Sequence, residues 1–219
     1  MDSGALVSCN FELEHYRELL EAAKAGDYRF ARFGEEPRPG DLFLRHDVDL
    51  SLDAAVRMAE LEAELGVTTT YLLMTESVFY NLASKEGTEA IERLRELGHA
   101  VGLHAAYPHV ELDERFDPVV SWHNPRPEYM SEEIGGAVNA YGTRYFSPET
   151  YRSDSNQHWR AGCPHEELRA GAFPWLQILV HPEIWVYPGE TMGETMRAMV
   201  EADSARRLEQ LAADGIDLG

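Results

Sequence analysis

Apolar positions in this chain fall into short continuous runs that alternate with stripes at helical spacing. Over residues 11–26, Phe11, Tyr16, Leu19, Leu20 and Ala23 share one helical face, and Gly26 is a stop. The Gly34-Glu35-Glu36-Pro37-Arg38-Pro39-Gly40 segment is loop chemistry. A first strand follows at 42–46. Ser51 can cap a helix to Leu65, striped by Ala54, Met58, Leu61 and Leu65 and ended by Gly66. Val67 to Met74, rich in Thr, Val and Tyr, reads as a second strand. A helix over 86–97 carries Ile91, Leu94 and Leu97 and closes at Gly98, and His99 to His104 is the third strand. Val119 to His123 and Leu176 to Val180 are further strands, the latter strongly apolar. Residues 191–213 form a terminal helix whose Met192, Met196 and Met199 stripe is core packing. Between them, 124–170 is rich in Pro, Asn, Ser and Arg and weak in periodicity, which reads as loop and short elements over a site.

Strand–helix–strand–helix–strand alternation with short links predicts an α/β fold with a parallel sheet or barrel. The 219 residues are read as one domain, with 1–40 as an N-terminal helix and loop and 191–213 as a C-terminal helix.

Charge narrows the partners. Thirty-nine acidic residues against 19 basic ones give a formal net charge of −20. Such a surface repels phosphate backbones and anionic bilayers, so no nucleic-acid partner is expected. The N-terminus shows no basic region followed by an apolar one, and no apolar run approaches the ~18 residues that span a bilayer. Cys9 and Cys163 make neither a disulfide framework nor a zinc-ribbon spacing. The expectation is a cytoplasmic protein with no membrane insertion and a small-molecule or glycan substrate; nothing in the pattern sets an oligomeric state.

Candidate chemistry sits where the apolar runs stop. Leu42-Phe43-Leu44-Arg45-His46-Asp47-Val48-Asp49 ends in two carboxylates two residues apart. At the carboxyl end of a buried parallel strand, where α/β folds build their sites, such a pair is costly without a cation or hydrogen-bond donors. Three more apolar runs end in histidine, at His104, His123 and His181. Carboxylate oxygen with imidazole nitrogen suits a borderline divalent metal, most simply zinc, with iron, cobalt or nickel as alternatives.

The order Arg45-His46-Asp47-Val48-Asp49, Gly102-Leu103-His104, Leu179-Val180-His181-Pro182 resembles the polysaccharide deacetylase superfamily, of the NodB-homology, carbohydrate-esterase type. The resemblance covers roughly residues 42–187. It implies a distorted, incomplete (β/α) barrel and a metal, usually zinc, held by one aspartate and two histidines. It further implies Asp47 as general base, Asp49 and His104 as metal ligands, and His181 as general acid. Arg152, in Tyr151-Arg152-Ser153-Asp154, falls where the family has a groove arginine that orients the base carboxylate. One departure concerns the second histidine ligand. The family spaces its pair four apart, and position 108 is Pro. His109 follows that proline, whereas His123 closes a strand, and the better-fixed strand end favours His123 over His109.

These residues describe the hydrolysis of an acetyl or other acyl amide on an N-acetylated sugar or related small molecule. Asp154 is placed to hydrogen-bond His181 or Arg152, or else to be a solvated loop acid. Trp159, in the polar stretch Asn156-Gln157-His158-Trp159-Arg160, is the sugar-platform candidate, with Tyr151 beside it. Trp122 and Trp185 read as core. Two other readings stand beside the deacetylase: a non-catalytic barrel used as a binding module, and a cyclic amide or imide hydrolase built on the same metal site.

Overall fold

The structure, a computed structural model, describes residues 9–108, 111–131 and 135–218. Eight strands make one sheet in which every described pair is parallel: β1 (Arg29–Phe30), β2 (Asp41–Val48), β3 (Thr70–Leu73), β4 (Ala100–Ala105), β5 (Val119–Trp122), β6 (Val138–Asn139), β7 (Tyr151–Ser153) and β8 (Trp175–Val180). The order is β6-β5-β4-β3-β2-β8-β7, with β1 beside β2. Helices α1 (Leu13–Ala25), α2 (Leu52–Glu64), α3 (Lys85–Glu96), α4 (His165–Arg169), α5 (Pro182–Val186) and α6 (Met192–Ala213) accompany them.

The sheet curls. Gln177 of β8 donates its side-chain amide to the carbonyls of Ala140 and Tyr145, just beyond β6 at the far edge of the sheet. The result is an α/β fold in which the parallel sheet forms a curled half-barrel, a distorted and incomplete (β/α) barrel, as expected from the sequence.

Burial follows from that geometry. All eight β2 residues are buried, because a parallel strand is covered on both faces. Alternation still sorts them. Leu42 and Leu44 pack outward against α1 with Tyr16, Leu20 and Ala23. Phe43 faces the barrel interior with Leu72, Val119, Ala140 and Tyr145. Arg45 and Asp47, two and four residues on, continue that inner face.

Two glycines permit close approaches. A Cβ on Gly26, which ends α1, would lie 2.0 Å from the Leu168 carbonyl oxygen of α4. One on Gly102, in β4, would lie 2.6 Å from both Leu72 Cδ2 and the Val119 carbonyl oxygen, so the inner face of β4 carries only hydrogen one step before His104.

The N-cap read at Ser51 is present, and α6 carries one that the sequence reading did not name. Ser51 accepts from the Ala54 amide at the start of α2. Thr191 and Glu194 form a reciprocal capping box at α6. Met199 is buried, with Met192 and Met196 packed on the same core. Among the described residues no helix is long and apolar enough to cross a membrane.

Candidate metal centre

The inner face of the half-barrel runs into the site. β4 and β5 place His104 opposite Ser121 in register, so both side chains point the same way. Asp47 stands at the same end of β2, which pairs β3 on one side and β8 on the other. Asp49 lies just past β2, His123 just past β5 and His181 just past β8.

Asp49 is the hub. Its Oδ1 is 3.1 Å from His104 Nε2 and 3.2 Å from His123 Nδ1, and its Oδ2 is 3.9 Å from His181 Nε2. Burial would raise the Asp49 pKa, but hydrogen bonds from His104 and His123 outweigh it and hold the carboxyl well below the usual carboxylate range. One oxygen or nitrogen from each of Asp49, His104 and His123 lies within 4.8 Å of the other two.

Ser121 fixes the state of His104. Its hydroxyl donates to Asp47 Oδ1 at 3.0 Å and stands 2.6 Å from His104 Nδ1. A hydroxyl has one proton, so the imidazole supplies the other and His104 Nδ1–H donates to Ser121 Oγ. Nε2 then faces Asp49 Oδ1 at 3.1 Å, where either a proton or a cation bridges the two atoms. The separations of 3.1 and 3.2 Å are close to the donor–donor edge of roughly 3.4 Å expected around a tetrahedral zinc with bonds near 2.1 Å. The residues therefore fit the metal that the sequence pattern implied.

Asp47 is fully buried and is held by Arg45, whose Nη1 lies 3.1 Å from Asp47 Oδ1. Its Oδ2 is 3.7 Å from His104 Nδ1. Arg45 is itself 0% exposed and packs over the Tyr141 ring, 4.4 Å from its centroid. Its guanidinium is the buried countercharge facing the Asp47 carboxyl.

His181 is gripped from behind. Asp154 Oδ1 is 2.6 Å from His181 Nδ1, and Asp154 Oδ2 accepts from the His181 amide and from Trp185 Nε1. Burial pulls the imidazole toward its neutral form, yet the charge of Asp154 and its hydrogen bond prevail and push the His181 pKa up to about 10. Next in α5, Glu183 is buried, and burial raises its carboxyl to about 8.

Two sequence expectations are corrected. Arg152 does not orient Asp47. Alternation along β7 turns it to the outer side, where it pairs with Glu167 of α4 at 3.3 Å and lies over the Phe173 ring. Arg45 does that work from within β2. Nor is Trp159 a platform. It is 5% exposed, its ring packed between Phe11 and Trp185 and its Nε1 donating to Cys9 Sγ. Its polar neighbours in sequence concealed that burial. Trp122 and Trp185 are buried as expected, although Trp185 also holds Asp154.

His109 lies outside the described residues. Asp154 takes the first of its two expected roles, bonding His181. Tyr151 is half-buried and borders a cavity of about 520 Å³ together with Asn124, Tyr141, Phe146, Ser153 and Ser155. Asn124 adjoins the Asp49–His104–His123 cluster through its side-chain contact with His123 Nε2 at 3.0 Å. Sequence reasoning missed Arg45 and Ser121. The period-2 rule could have found both, since each stands two residues before an assigned site residue on the same strand face.

No family model matches the chain, and no curated protein matches it. Among solved structures, the chain is similar to a peptidoglycan deacetylase of Bdellovibrio bacteriovorus, at 16% identity and a TM-score of 0.37, over 72% of this chain and 48% of that one. It is also similar to a family 4 carbohydrate esterase from Bacillus anthracis, at 14% identity and a TM-score of 0.30, over 94% of this chain and 88% of that one. The chain thus spans about half the length of the first.

Proposed function

We propose that this chain is a metal-dependent amide hydrolase of the deacetylase type, acting on an N-acetylated sugar or a related small acyl amide. One observation carries the reading. A single carboxylate, Asp49, has two imidazoles on one oxygen, within ligand-edge distance, and a protonated imidazole, His181, beside the other. A ligand set and a proton donor thus share one point of the barrel rim.

Asp49, His104 and His123 would hold the ion. When bound there, a divalent metal supplies Lewis-acid polarisation of an acyl oxygen and acidifies water. Asp47, held by Arg45, accepts the proton of the attacking water. His181 carries a proton at neutral pH and delivers it to the departing amine, while Asp154 stabilises the imidazolium and fixes its ring. Ser121 keeps the His104 proton on Nδ1 and so leaves Nε2 free to ligate. Phe146 and Tyr151, both partly exposed, line the adjoining cavity and offer ring faces suited to a sugar.

The test is acetate release by the metal-reconstituted protein from N-acetylglucosamine, its short oligomers and small acetamides, in wild type, Asp47→Asn and His181→Ala. The expected result is turnover in wild type and a loss of about 10²- to 10⁴-fold in each variant, as removal of a positioned acid or base gives. Metal content should be unchanged. Acetate release that survives both changes, or metal-loaded protein inert on every amide offered, would overturn the reading. Ring opening of a cyclic imide without acetate release would instead reassign the same site.

A further inference from the structure

We propose that Cys9, His15 and Cys163 form a second metal site, for zinc or another thiophilic divalent ion, separate from the centre at Asp49. One Sγ from each cysteine and one nitrogen of His15 lie within 4.8 Å of one another. His15 Nε2 is 3.3 Å from Cys163 Sγ, short of the roughly 3.5 Å edge of a zinc tetrahedron that joins nitrogen to sulfur. Both cysteines are free and half-buried.

The surroundings of the three donors favour a metal over a simple thiol cluster. His15 Nδ1 is anchored by Glu18 Oε2 at 2.8 Å, so the ring presents Nε2 to the sulfurs. A histidine held by a carboxylate on its far nitrogen is the usual arrangement of a ligating imidazole. Trp159 Nε1 donates to Cys9 Sγ at 3.3 Å, a bond that strengthens when the sulfur is a thiolate. Phe11, at φ 48°, turns the chain in the left-handed region and brings Cys9 back over α1. Bulky residues adopt that conformation only when the surroundings hold them there. Two thiolates and an imidazole form a donor set that selects zinc-like ions over magnesium or calcium. Binding releases the thiol protons to solvent, and the fourth position falls to water.

The site would tie the segment ahead of α1 to the loop ahead of α4, positions some 150 residues apart in sequence. It would also brace the machinery at His181 from behind. The His15 ring stacks on Trp185, with centroids 6.3 Å apart, and Trp185 donates to Asp154. The clamp is thus three contacts from His181, by way of Trp185 and Asp154.

Cobalt(II) reconstitution of reduced wild type, Cys9→Ser, Cys163→Ser and Asp49→Asn tests the site. The expected result is two equivalents bound by wild type, with a thiolate-to-cobalt charge-transfer band in the near ultraviolet. Each cysteine variant should bind one equivalent without the band. Asp49→Asn should also bind one but keep the band, so failure of the first centre is told apart from failure of this one. Should the cysteine variants not fold, protection of both thiols from alkylation by one added equivalent of zinc in Asp49→Asn carries the same test. Absence of the band in reduced wild type would overturn the proposal, as would alkylation unaffected by metal. A mass two hydrogens low in the isolated protein, with no metal uptake after reduction, would assign the pair to a disulfide instead.

Discussion

Asp154 binds His181 twice, through Nδ1 at 2.6 Å and through the backbone amide at 2.9 Å, so one buried carboxylate sets both the charge and the orientation of the residue proposed as general acid. This grip predicts a pH dependence of stability. His181 titrates near 10 in the folded chain, against 6.5 for an unperturbed imidazole. Between these values the native state holds more protons than the unfolded one, so the stabilisation is complete below about pH 6.5 and is lost as pH rises toward 10. Glu183, raised by burial from 4.5 to about 8, works in the same direction. Urea midpoints of metal-free protein should therefore fall from neutral to alkaline pH. Asp154→Asn should lower the neutral midpoint and flatten that slope.

Ser121 predicts a different effect. It touches Asp47 and His104 yet is no ligand. Ser121→Ala frees the His104 tautomer and should weaken metal binding about 10- to 100-fold, as loss of an outer-shell partner does. Competition with a chromophoric chelator measures it. Circular dichroism should report the wild-type fold.

Arg45 and Asp47 should behave as a unit. Arg45→Met strands a buried carboxylate and should cost about 3–5 kcal/mol in urea unfolding. Arg45→Met with Asp47→Leu removes both charges and should recover most of that loss. A double variant no more stable than the single one would show that Arg45 acts through packing on Tyr141 rather than through charge.

The strands that carry the site were legible because a buried parallel strand is a continuous apolar run, and β2, β4, β5 and β8 each announce their end with Asp or His. Boundaries shifted by a few residues at most: the strand read over Val67–Met74 pairs only over Thr70–Leu73. What stayed hidden has a physical cause in each case. β6 and β7 are two and three residues long, too short to show a period. Arg45 looks like a strand-edge cation until the curl of the sheet turns its face inward. Trp159 sits in polar sequence, and only the fold brings Phe11 and Trp185 over it. Cys9, His15 and Cys163 carry no spacing signal, because α1 and α4 meet only through the tertiary fold.

Close packing at the end of α1 gives a further prediction. A methyl at Gly26 meets the Leu168 carbonyl oxygen at 2.0 Å, so α1 and α4 must separate. Gly26→Ala should cost about 1–3 kcal/mol, the usual range for overpacking. Gly34→Ala supplies the contrast. Nothing lies within 4 Å of its added carbon, and its penalty comes from the backbone at φ +104° alone.

The central claim is that Asp49, His104 and His123 form one metal centre. Its most direct test is zinc affinity at that centre, measured by titration in a Cys9→Ser background for the parent and for Asp49→Ala, His104→Ala and His123→Ala. The account predicts one tight equivalent in the parent, lost in all three variants while circular dichroism stays unchanged. Undiminished binding after His123→Ala, or none in the parent, would contradict it.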